Sequence, residues 1–142
     1  MSLRDRDMDN PDVIGDGLDY KAISLPVDSP IILLEWRRKN IESYLLCPKA
    51  ISEATGKTIA EIKQYLQTNF AIAIDDDGFC EANLPEAIIS LDGKNVFIKE
   101  DIGLERVYQC NKYDVAEKMN ADEICDDIKT FINRVSDLFS VQ

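Results

Sequence analysis

Apolar positions in this chain form one continuous run and then a series of stripes at helical spacing. Ile31-Ile32-Leu33-Leu34 is the continuous run. It follows Pro30 and closes at Glu35-Trp36, the pattern of a short buried strand. From Asn40 the period changes. Ile41, Tyr44 and Leu45 stand at i, i+3 and i+4, which 3.6 residues per turn bring onto one helix face. Pro48 ends that helix or starts the next, and Ala50, Ile51 and Ala54 carry an apolar face up to Gly56, a C-terminal stop. The clearest helix begins at Thr58, where Thr58 and Glu61 have capping-box spacing. Ile59, Ile62, Leu66 and Phe70 then line one face as far as Ala73.

Elsewhere the pattern is weaker. Residues 1–30 are polar and rich in turn formers (Asn10-Pro11, Gly15-Asp16-Gly17, Pro26, Pro30), with a short strand expected around Ala22–Leu25. Asp75-Asp76-Asp77-Gly78 reads as a solvated turn. Pro85–Leu91 predicts a short helix, Asp92-Gly93 a turn and Asn95–Ile98 a brief strand, while Ile102–Cys110 fits strand or helix. Asn111 starts a helix through Met119. Asn120 and Glu123 repeat the capping logic ahead of Ile124, Ile128, Phe131, Ile132, Val135 and Leu138, a four-turn amphipathic helix. The predicted fold is therefore α+β and helix-rich, with one to three short strands followed by about five helices. Its predicted core is Ile31, Leu33, Ile62, Leu66, Phe70, Ile124, Ile128, Phe131 and Val135.

Composition narrows the chemistry. The 142 residues suit one domain, and 45% of them are apolar. No apolar run approaches the roughly 20 residues that span a bilayer, and no apolar segment follows a basic N-terminus. A cytoplasmic protein is expected. Net charge is −11, from 27 acidic and 16 basic residues, which disfavours non-specific nucleic-acid affinity. A nucleic acid would have to be met by a local basic patch, a metal or another domain. The absence of histidine excludes Ser-His-Asp and Cys-His catalysis and every His-containing zinc site within this chain. Cys47, Cys80, Cys110 and Cys125 show no CxxC spacing, so reduced thiols packed as small hydrophobes are expected.

Three features carry candidate chemistry. Asp5-Arg6-Asp7 places two carboxylates on one side of an extended backbone, which suits shared coordination of Mg²⁺; a solvated acidic segment is the plainer reading. The run also reads Asp5-x-Asp7-x-Asp9, but Asn10 stands where a calcium loop needs Gly and Asp16 where it needs Glu, so an EF-hand is heavily discounted. Arg37-Arg38-Lys39 is a dense basic cluster that suits phosphates, or a solvated helix start opposed by the helix dipole. Glu42 follows it on the predicted helix, where an exposed glutamate is also ordinary.

Asn40-Ile41-Glu42-Ser43-Tyr44-Leu45-Leu46, after a strand and basic residues, resembles the EIENYLL segment of TOPRIM-type domains in OLD-family ATP-dependent endonucleases and related AAA-type ATPases. Asp5-Arg6-Asp7 is similar to the DRD form of that family's Asp-x-Asp motif. Asn111–Ala116 with Asp122-Glu123-Ile124 is similar to the helical tail that follows the domain. The resemblance implies a partial TOPRIM-like segment over residues 1–55, holding short strands of an α/β sheet, and a helical region over 56–142, together one compact unit. It implies metal-dependent DNA cleavage, in repair or phage defence, with an ATPase upstream in cis and a homodimer as one possible assembly. Asp5, Asp7 and Glu42 would form the catalytic set and hold Mg²⁺ or Mn²⁺, and Arg37, Arg38 and Lys39 would meet the DNA backbone. Two departures stand out. The family's earlier catalytic glutamate has no place before residue 5, nor has the strand that normally presents Asp-x-Asp, and Asn40 stands where the motif often has its first glutamate. No GxxxxGK[ST] loop is present, so ATP is not expected to bind. The chain is thus expected to be a fragment of a nuclease, inactive alone and metal-loaded only in the full-length protein. The alternative is an acidic helical protein-interaction module without catalysis.

Overall fold

The computed structural model describes residues 2–4, 33–75, 79–80 and 84–140. The Asp5-Arg6-Asp7 motif, the expected strand at Ala22–Leu25, Ile31 and the acidic turn at 76–78 lie outside the described residues.

The predicted α+β class does not hold. Among the described residues, strand is confined to a parallel pair of three residues each, β1 (Ser2–Arg4) beside β2 (Leu33–Glu35), in register Ser2–Leu33, Leu3–Leu34 and Arg4–Glu35. Such a pair is too small to stand as the partial TOPRIM-like α/β sheet, because a sheet needs more strands and a shared apolar face to be stable. The rest is helical: a 3₁₀ helix (Ile41–Leu45), then α1 (Pro48–Thr55), α2 (Ile59–Phe70), α3 (Glu86–Ile89), α4 (Gly93–Ile98), α5 (Leu104–Tyr108), α6 (Lys112–Lys118) and α7 (Asp126–Ser140). None of the described helices is long and apolar enough to cross a membrane.

Local chemistry sets most boundaries. Pro48 opens α1, and Gly56, at φ 70°, closes it in the left-handed region that glycine enters without a Cβ clash. The Thr58–Glu61 capping box opens α2 as predicted, but Ala71 turns left-handed and ends that helix before Ala73. Asn95–Ile98 is helix rather than strand; the Asp92 side chain accepts the Asn95 N–H and caps α4, and Val96 and Phe97 are buried from that helix. The Asn120 N–H does bond Glu123 Oε2, at 2.8 Å, yet α7 begins only at Asp126, leaving Ile124 in the turn before it.

The core lies between the 3₁₀ helix, α1, α2, α4 and α6. Ile62 and Leu66 are buried as predicted, and Phe70, Ile128 and Phe131 pack against the core from its margin. Much of the core is aromatic or comes from the short helices: Trp36, Tyr44, Val96, Phe97, Leu104 and Val115. Gly93 lets α4 lie directly on the 3₁₀ helix, since a Cβ there would sit 2.5 Å from the Glu42 carbonyl carbon and 2.7 Å from Ser43 Cα. The cysteines depart in part from expectation. Cys47 and Cys110 are buried, but Cys80 and Cys125 form a disulfide that ties the segment before α3 to the start of α7.

Candidate functional site

The segment from Trp36 to Leu46 holds the predicted residues that the structure describes, and most of it is buried, with Arg37, Lys39 and Leu45 partly so. The 3₁₀ helix brings this about. Its tight turn directs Glu42, Ser43 and Tyr44 inward and leaves Ile41, predicted to lie on the buried face, 45% exposed.

The three cations of the basic cluster have separate fates. Arg37 donates from Nε to Asp127 Oδ1 at 2.7 Å, and its second contact with the same oxygen is an ion pair. The hydrogen bond to Asp127 holds the Arg37 guanidinium above its ordinary pKa, against burial. Arg38 is 4% exposed and lies between the rings of Tyr44 and Phe79, 4.9 and 4.6 Å from their centroids. Its guanidinium donates to the carbonyls of Ser43 (3.1 Å) and Phe79. Burial lowers the Arg38 pKa, yet a guanidinium stays charged under any ordinary condition. Lys39 remains nearer the surface and pairs with Asp92 at 3.3 Å. Asp92 also accepts from Asn40 Nδ2 at 2.9 Å; burial opposes its ionisation, but the hydrogen bonds and Lys39 outweigh this and lower its pKa. Tyr44 joins the clusters. Its hydroxyl donates to Asp127 Oδ2 and accepts the Arg38 N–H at 3.2 Å, and burial first, then that bond to Asp127, pushes its pKa well up.

Glu42 is apart from these. It is 4% exposed, and its Oε1 accepts a hydrogen bond from Lys112 Nζ at 2.8 Å. That contact raises the Lys112 pKa. Its other oxygen, Oε2, is buried and accepts no hydrogen bond among the described residues. An open cleft of about 380 Å³ lies beside the pair, between the 3₁₀ helix, α6 and the start of α7. Its walls are mainly apolar: Leu45, Ala116, Met119 and Ile128, with Tyr113 on the rim.

The structure therefore gathers Arg37, Arg38 and Tyr44 around Asp127, and Glu42 against Lys112, but does not join the two groups in one set of metal donors. Among the described residues, no three His, Cys, Asp or Glu side chains could hold a metal ion together. Glu42 does not fit a Mg²⁺ ligand in this arrangement. An ammonium 2.8 Å from Oε1 already neutralises the carboxylate and would repel a dication, and the neighbouring walls offer hydrocarbon instead of oxygen. Asp5 and Asp7, the other predicted ligands, lie outside the described residues.

Sequence reasoning passed over Asp127 and Lys112. Asp127 sits in the first turn of α7, where an acid is favourable and looks ordinary. Lys112 opens α6 at the end that disfavours a cation, a small conflict that could have marked it. No family model matches this chain, and no curated protein or solved structure matches it either.

Proposed function

We propose that this chain is part of a metal-dependent, DNA-cleaving protein joined in cis to an ATPase, acting in the cytoplasm, and inactive by itself. The resemblance of residues 40–46 and of Asp5-Arg6-Asp7 is the starting point. The observation that supports it is the parallel register of β1 and β2. Arg4 pairs with Glu35, so the residue that precedes Asp5 in the sequence lies beside the residue that precedes Trp36-Arg37-Arg38-Lys39. In this reading Asp5 and Asp7 hold Mg²⁺, whose chemistry is to stabilise charge on the attacking and leaving oxygens of a phosphodiester. Lys39 is the member of the basic cluster assigned to the DNA backbone, being more exposed than Arg38 and paired with the part-exposed Asp92. Glu42 keeps its ion pair with Lys112 and is left out of the metal set.

The test is a Mn²⁺ titration by calorimetry on this chain, beside Asp7→Asn and Glu42→Gln. Binding that Asp7→Asn weakens and Glu42→Gln leaves intact is the expected result. Absence of binding, or indifference to Asp7→Asn, would sink the proposal. One observation favours a second reading, the acidic helical protein-interaction module: Ile132 and Phe139 on α7 are 57% and 73% exposed. A partner held by the chain and released by Ile132→Asp, without any Mn²⁺ binding, would carry that reading instead.

A further inference from the structure

We infer that the Cys80–Cys125 disulfide is a thiol-exchange site: a low-molecular-weight thiol of the glutathione class attacks Cys80, and Cys125 leaves as a thiolate held by the Arg38 guanidinium. The site contains no residue assigned to the metal, so it stands or falls apart from the nuclease reading.

The two sulfurs have unlike surroundings. Cys125 is 4% exposed, and its Sγ lies 3.7 Å from Arg38 Nη2. Cys80 is half-buried, and its Sγ lies 3.3 Å from the Glu123 carbonyl oxygen. A disulfide uses neither neighbour well. It has no hydrogen to give the carbonyl and only a weak acceptor to offer the guanidinium. The reduced pair uses both: a Cys80 thiol donates to the Glu123 carbonyl, and a Cys125 thiolate accepts from Arg38. The surroundings therefore suit the open form as well as the closed one.

Arg38 decides which sulfur leaves. Its buried guanidinium donates to the carbonyls of Ser43 and Phe79 and touches no carboxylate among the described residues. A buried cation without an anion beside it is costly, and a thiolate at Cys125 supplies the anion. Burial opposes that thiolate, and so does the carboxylate of Asp127 on the same small cavity. Asp127 is already engaged, however, one oxygen by Arg37 and the other by the Tyr44 hydroxyl, while Arg38 meets the sulfur directly. A thiolate held in this way is the better leaving group, and attack falls on the more exposed Cys80. In the first step RS⁻ bonds to Cys80 Sγ, the electron pair of the S–S bond passes to Cys125 Sγ, and the mixed disulfide RS–S–Cys80 forms. A second RS⁻ removes the first as RSSR and frees Cys80, which takes up a proton. Two RSH thus give RSSR, a Cys80 thiol, a Cys125 thiolate and one proton. Opening cuts the covalent tie between the segment before α3 and the start of α7, and it changes the charge facing Arg38 in the basic cluster.

The experiment treats the oxidised chain with reduced glutathione, quenches samples in acid at intervals, and locates the adduct by peptide mass spectrometry. No metal is added. Glutathione should be found on Cys80 in about tenfold excess over Cys125. Opening should be about fivefold or more slower in Arg38→Met than in the wild type, whereas Arg38→Lys, which keeps a cation, should recover most of the rate. Fluorescence of Trp36, buried beside the Tyr44 ring, reports whether each variant is folded. An adduct mainly on Cys125 or shared equally, equal rates in the wild type and a folded Arg38→Met, or opening only as fast as the whole chain unfolds would overturn the inference. The position of the adduct is read on the wild type, so it decides the matter even if Arg38→Met does not fold.

Discussion

Asp127 holds the start of α7 against the Trp36–Leu46 segment, and removing it gives a defined loss. The side chain is 6% exposed and accepts from Arg37 Nε at 2.7 Å and from the Tyr44 hydroxyl. Asp127→Ala leaves the Tyr44 hydroxyl without its acceptor at a residue only 2% exposed, which costs about 1–3 kcal/mol. Arg37 is 34% exposed and can turn to water, so its share is about 1 kcal/mol or less. Loss of a carboxylate from the first turn of α7 adds roughly 0.3–1 kcal/mol. The expected total is about 1–5 kcal/mol, a sizeable part of the roughly 5–15 kcal/mol that holds a domain together. Urea unfolding of wild type, Asp127→Ala, Tyr44→Phe and the double variant closes a thermodynamic cycle. The coupling between the two sites should be about 1 kcal/mol or more, because the hydroxyl and carboxylate serve each other. A loss below about 1 kcal/mol for Asp127→Ala, or strict additivity in the cycle, would refute this account of the network.

Two further predictions concern the core. Cys110 is pushed up from 9.0 to about 11, mainly by burial with Asp114 and Glu105 adding to it, and burial raises Tyr65 from 10.0 to about 12. Both folded pKa values lie above the unfolded ones, so the fold favours the protonated forms. Their contribution is complete below those ordinary values and is lost as pH rises through the raised ones. Urea midpoints should therefore hold to about pH 9 and fall between about pH 9 and 12, and Cys110→Ala should remove the earlier part of the fall; a flat profile to pH 12 would contradict the burial argument. Leu66, 1% exposed on α2, should cost about 2–5 kcal/mol when replaced by Ala, whereas half-buried Ile128 should cost clearly less; equal losses in urea melts would place Ile128 deeper than it stands.

What the sequence determined by itself is local. The Thr58–Glu61 box, the Asn111 start, Pro48 and Gly56 mark helix ends through contacts within one turn, and the 3.6-residue period put Ile62 and Leu66 inside. Where two signals competed, the reading went astray: Asn95–Ile98 read as a strand, while the Asp92 cap starts a helix there and the burial of Val96 and Phe97 in the core holds it. The chemistry of the described site was decided elsewhere. Glu42 meets Lys112 across 70 residues, Arg37 meets Asp127 across 90, and Cys80 meets Cys125 across 45. No periodicity encodes such pairings. They arise because the 3₁₀ helix turns Glu42 and Tyr44 inward, where burial without a partner is costly, and only the packing of α6 and α7 against that turn supplies Lys112 and Asp127.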